Sequence, residues 1–129
     1  MRVVTLVALV FLLAACNGGT VDSHALKNDG ATIDSINCEA WLLSDAVARG
    51  KTTSQYSGEQ AEELGIQAAN LADALARRPT AEGLRPQVRA KARDAAALAR
   101  RLRRLQDRPA DRAIGAELAA EFRRAGRCS

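Results

Sequence analysis

Residues 84–108 read LRPQVRAKARDAAALARRLRRLQDR, and the order of apolar and basic side chains in this stretch decides the fold class. Leu84, Val88, Ala95, Leu98, Leu102 and Leu105 recur at helical spacings, so one helix can present them all on a single face. Pro86 fits only the first turn of that helix, because deeper in it would clash with a carbonyl of the preceding turn. At about 100° per residue, Arg85, Arg89, Arg93, Arg100, Arg104 and Arg108 fall on one side, opposite Leu84, Val88 and Leu102. The pattern is an amphipathic helix with a basic stripe.

The same period appears three more times. Ile36, Ala40, Leu43 and Val47 predict a helix from near Asp34 to Arg49, ended by Gly50. Ala61, Leu64, Ala68, Leu71 and Leu75 predict a second, with Ser57 and Gln60 as its capping box and Pro79 as its stop. After Pro109, Ile114, Leu118 and Phe122 predict a last helix reaching Arg124 or Ala125, with Gly126 as a C-terminal stop. Four helices with short connections predict an all-α fold, an antiparallel four-helix up-down bundle. Aromatic residues make up only 3% of the chain, so its core is expected to be Leu, Ile, Val and Ala. Trp41 is expected in the core, and Tyr56 as a hydrophobic staple ahead of Ser57.

Upstream of the bundle the character changes. Met1 and Arg2 precede an apolar run from Val3 to Ala15 in which only Thr5 is polar. This is too short for a membrane-spanning helix, which needs about 20 apolar residues, and has the length of an export signal. Its end, Leu13-Ala14-Ala15-Cys16, resembles the lipobox of bacterial lipoproteins over Met1 to Cys16. That resemblance implies cleavage before Cys16 and a diacylglycerol on its sulfur, so the lipid bilayer becomes a partner through acylated Cys16. Asn17 is not the aspartate that retains lipoproteins in the inner membrane of enteric bacteria. The resemblance therefore implies the outer membrane where one exists, and otherwise the outer face of the cell membrane.

The expected organisation is a signal peptide over 1–15, the lipidated cysteine and a flexible linker over 16–32, and a helical bundle domain over 33–129. The polar stretch NGGTVDSHALKNDGA, from Asn17 to Ala31, has no period and reads as a tether. It would average roughly 20 Å end to end. Lipidation of Cys16 leaves Cys38 and Cys128, an even count in an oxidising compartment, which favours a structural disulfide over free thiols or an intermolecular link. In the predicted topology both fall at one end of the bundle.

No catalytic constellation emerges. The single histidine, His24, lies in the expected tether, which removes a Ser-His-Asp set, and no spacing of His, Cys or acids matches a metal site. Glu62, Glu63, Glu117 and Glu121 read as solvated, salt-bridging residues. No cofactor is implied. Charge is polarised along the chain: residues 17–76 carry three basic and nine acidic groups, and residues 77–129 carry fifteen and six. Two readings of the stripe stay open. One is a surface for an anionic envelope polymer, a lipid or an acidic protein; the other is internal pairing with Glu59, Glu62, Glu63 and Glu117. Nucleic acid is not expected, for no recognition motif or stacking aromatics accompany the arginines. The expected function is a non-catalytic binding or structural module of the envelope, with a hydrolase or redox enzyme as the distant alternative.

Overall fold

Asp22 opens the first helix: its side chain accepts a hydrogen bond from the backbone N–H of Ala25 at 2.8 Å. The computed structural model describes residues 19–129. The expected signal peptide, Cys16 and Asn17 lie outside them. Helix α1 spans Ser23–Ala48, α2 Ser54–Arg77, α3 Arg85–Asp107 and α4 Arg112–Gly126. The described residues are all-helical apart from loops and one isolated bridge between Val21 and Thr80.

The linker expected through residue 32 is corrected by this structure, since residues 23–32 belong to α1. The reason is local as well as tertiary. Asp22 satisfies an orphan N–H at the helix start, and Ile33, Gly30 and Leu26 continue the stripe of Ile36, Ala40, Leu43 and Val47 backwards by about three turns. Gly30 is buried because the stem of Lys91 lies over it, its Cε 3.6 Å from where a Cβ would be. Val21 is fully enclosed. Its N–H donates to the Pro79 carbonyl at 2.7 Å and its carbonyl accepts from Ala81 at 3.0 Å, which fastens the entering chain to the α2–α3 loop.

One other start moves. Thr53, not Ser57, caps α2, its hydroxyl accepting from Tyr56 N–H at 3.2 Å. Ser57 is buried in the first turn instead, its hydroxyl 2.7 Å from the carbonyls of both Thr53 and Pro109, and so ties α2 to the α3–α4 loop. With the helix starting earlier, Tyr56 is inside it and 56% exposed rather than a staple. Pro86 occupies the first turn of α3 as expected. Asp111 caps α4 by accepting from Ile114 N–H at 3.0 Å.

The core is mostly aliphatic, with Leu98, Leu102, Leu105 and Leu118 completely enclosed together with one aromatic ring, Phe122. Trp41 packs at its rim rather than inside, with the Arg123 guanidinium 5.1 Å from the ring centroid, a cation–π distance. Helices α2 and α3 meet along the leucine face, with Leu102 over Gly65 and Pro109 over Gly58. Helices α1 and α4 approach through backbone. A Cβ on Gly115 would lie 2.8 Å from Ala48 N and 2.9 Å from Ser44 O; one on Gly126 would lie 2.7 Å from Asn37 Cβ and within 3.0 Å of both disulfide sulfurs. Gly126 is thus required for close approach and is the last helical residue, while Arg127 takes the left-handed conformation expected of a helix stop.

Cys38 and Cys128 form a disulfide, with their Cα atoms 5.5 Å apart. Because α1 starts at Ser23, Cys38 sits midway along it, not near its beginning. At about 1.5 Å per residue, α1 is about 39 Å long and α4 about 22 Å, so α4 covers only the second half of α1. The uncovered stretch leaves a groove of about 630 Å³ lined by Leu26, Gly30, Asp34, Asn37, Lys91, Ala97 and Ala125, among others.

Candidate anion-binding surface

All six arginines of the stripe are exposed, five on α3 and Arg108 at its C-cap, but their surroundings differ along the helix. Near the C-terminal end, Arg104 Nη2 donates to Glu117 Oε1 at 3.0 Å, and its Nη1 lies 3.9 Å from Glu121 Oε1. Arg108 Nη1 is 3.6 Å from Asp111 Oδ2. Beside the stripe, Arg101 Nε donates to Glu121 Oε2 at 3.0 Å and Arg103 Nε is 3.7 Å from Asp107 Oδ1. The Asp111 carboxyl is held below its ordinary value, chiefly by the Ile114 backbone N–H and further by the Arg108 guanidinium. Its role is that of a charged helix cap.

Among the described residues, no carboxylate comes within 4.0 Å of Arg85, Arg89, Arg93 or Arg100. Internal pairing therefore accounts for Arg104 and Arg108 only. Glu117 meets Arg104 rather than the neighbourhood of Arg100. Among the described residues no arginine pairs with Glu59, Glu62 or Glu63: Glu59 accepts from Gln55 at 3.2 Å, while Glu62 lines a groove with Arg103.

Arg85, Arg89 and Arg93 share one groove of about 530 Å³ with Arg78 from the end of α2. Leu75, Pro79, Val88 and Ala92 supply its apolar lining. Arg78 was absent from the sequence-derived stripe because it belongs to another helix. The available signal was Arg77-Arg78-Pro79: a residue before proline is driven to extended backbone, and Arg78 adopts φ −69°, ψ 143°. There its Nε donates to the Gly19 carbonyl at 3.1 Å, and its Nη1 lies 3.9 Å from Asp29 Oδ2.

The groove also borders the start of α3. Leu84 gives that helix no side-chain cap and its first turn carries no acid, so the positive end of the helix dipole adds to the arginine charge. An apolar floor rimmed by guanidinium groups suits an anion attached to an apolar body. Arginine also suits phosphate in particular, whose oxygens it can meet in pairs.

His24 lies on the first turn of α1, with Nε2 3.3 Å from Asn28 Nδ2. No group of three or more His, Cys, Asp or Glu side chains gathers among the described residues in a way that would hold a metal. No described helix is long and apolar enough to cross a membrane. No protein-family model, curated protein or solved structure matches this chain.

Proposed function

We propose that this chain is a membrane-anchored bacterial lipoprotein that works as a non-catalytic binding or structural module of the cell envelope. Acylated Cys16 holds it on the exported side, at the outer membrane where there is one and otherwise on the outer face of the cell membrane. The four helices act as an up-down bundle. Its support is the contact register: Gly58 under Pro109 and Gly65 under Leu102, Gly115 against Ser44 and Gly126 against Asn37, Arg101 with Glu121 and Arg104 with Glu117. In each of these three pairs the contacts run in opposite order along the two helices. The Cys38–Cys128 bridge staples the shorter α4 to α1.

The observation that carries the binding role is the set Arg85, Arg89 and Arg93. Three exposed cations have no carboxylate within 4.0 Å among the described residues, although the fold supplies such partners further along the same helix. Anionic lipids or envelope polymers match that surface in charge. Lipidation is tested by mass spectrometry of the membrane-extracted protein. A diacylated or triacylated N-terminal Cys16 is expected, lost in Cys16→Ser; an unmodified N-terminus mapped elsewhere contradicts the assignment.

A further inference from the structure

We infer that the groove between the end of α2 and the start of α3 docks the phosphate headgroup of an anionic phospholipid in the same bilayer that holds the chain. The inference rests on the lipoprotein reading for its geometry, and on the groove for its chemistry.

The distance is set by covalent structure. Gly19 is tied to Arg78, and Val21 is locked against Pro79 and Ala81, so the chain is fastened to this end of the bundle. Cys16 precedes Gly19 by three residues, which span at most about 11 Å even fully extended. The roughly 20 Å average of a long tether therefore does not apply. Acyl chains on Cys16 bring the membrane surface to within that reach of Gly19, and Gly19 touches one of the four arginines lining the groove.

Chemistry and geometry then agree on the occupant. Arg85, Arg89 and Arg93 offer guanidinium donors with no carboxylate within 4.0 Å among the described residues, and Arg78 is already oriented by Gly19 and Asp29. Ala76, Pro79 and Ala92 give accessible apolar surface beside them, as the glycerol and upper acyl carbons of a lipid require. A headgroup in the same bilayer is also presented at high effective concentration, because the anchor has already removed most of the cost of encounter. Docking there would hold the bundle against the membrane by its α2–α3 end.

The test uses the full-length protein extracted in detergent, titrated separately with dioctanoyl phosphatidylglycerol, dioctanoyl phosphatidylcholine and inorganic phosphate. The readout is hydrogen exchange of backbone amides over residues 78–93. Phosphatidylglycerol is expected to protect this segment, phosphatidylcholine not to, and phosphate only at much higher concentration. The triple variant Arg85→Gln, Arg89→Gln, Arg93→Gln should bind at least about tenfold more weakly. Each basic side chain near an anionic surface is worth about fivefold, reduced for exposed groups by screening.

Thermal melting of the variant should match that of the wild type, which separates lost binding from lost folding. Equal response to the two lipids, equal affinity for free phosphate, protection elsewhere, or unchanged binding by the triple variant overturns the inference. The intact mass of the same sample reports Cys16. An unacylated Cys16 with selective protection would remove the anchor and leave the groove; an acylated Cys16 with a flat titration would do the reverse.

Discussion

Arg85 to Arg93 and Arg101 to Arg108 occupy the two halves of one helix and carry the same residue type, yet they meet different surroundings. Arg101, Arg103, Arg104 and Arg108 each have a carboxylate within 4.0 Å. Arg85, Arg89 and Arg93 have none among the described residues, and neither has Arg100, the exception in the second half. The difference follows in part from α4, which supplies the partners of Arg101 and Arg104, and in part from Asp107 and Asp111, three or four residues from Arg103 and Arg108. Glu117 and Glu121 of α4 lie against the second half of α3, where they meet Arg104 and Arg101; in the first half the acid of α3 itself, Asp94, lies 3.8 Å from Lys91. Charge on a helix face thus becomes structural or available according to which acids its own chain and the adjacent helix bring to it.

The largest expected effect comes from breaking the device that positions α4. Cys38 and Cys128 are 90 residues apart, and closing a loop of that size contributes about 4 to 5 kcal/mol in the chain-entropy model. Thermal melting followed by circular dichroism should show a large loss in Cys38→Ser/Cys128→Ser. If α4 also loosens, Arg101 and Arg104 lose Glu121 and Glu117, and the second half of α3 comes to resemble the first. An unchanged melt would mean that helix packing alone holds α4.

A smaller effect separates the two helix pairings. Gly115→Ala puts a methyl within 3.0 Å of α1 backbone atoms, which cannot give way as a flexible side chain would. Overpacking of this kind costs about 1–3 kcal/mol. Gly58→Ala meets Pro109 only at ordinary contact distance, 3.7 Å, and gains helix propensity, so it should be neutral or stabilising by up to about 1 kcal/mol. Equal destabilisation by both variants, measured as urea midpoints, would remove the distinction between backbone contact in α1/α4 and side-chain contact in α2/α3.

What could be read in the sequence divides along physical lines. The apolar faces of α2 and α3 were legible because Leu and Ala recur at helical spacing between prolines, and the disulfide because only two cysteines remained once Cys16 was set aside. The first turns of α1 were not. Asn28, Asp29 and Gly30 look like linker residues, and what makes them helical is the Asp22 cap together with packing beneath Lys91. Ion-pair partners were misread for a related reason. Pattern locates a charge on its own helix, whereas pairing depends on the register and rotation of the next one. Arg78 was missed because the groove joins two helices and no period runs between them.

The contrast between the halves of α3 is tested most directly by nuclear magnetic resonance of the arginine Nε–Hε groups in the full-length protein in detergent. Arg101 donates through Nε to a half-buried glutamate, and Arg104 is held through Nη2, so both should show restrained side chains and slowed solvent exchange. Arg85, Arg89 and Arg93 should be mobile and exchange fast until phosphatidylglycerol is added, and then slow together. Uniform behaviour along the helix before any lipid is added, or restraint at Arg85 to Arg93 in its absence, would contradict the division between paired and available arginines.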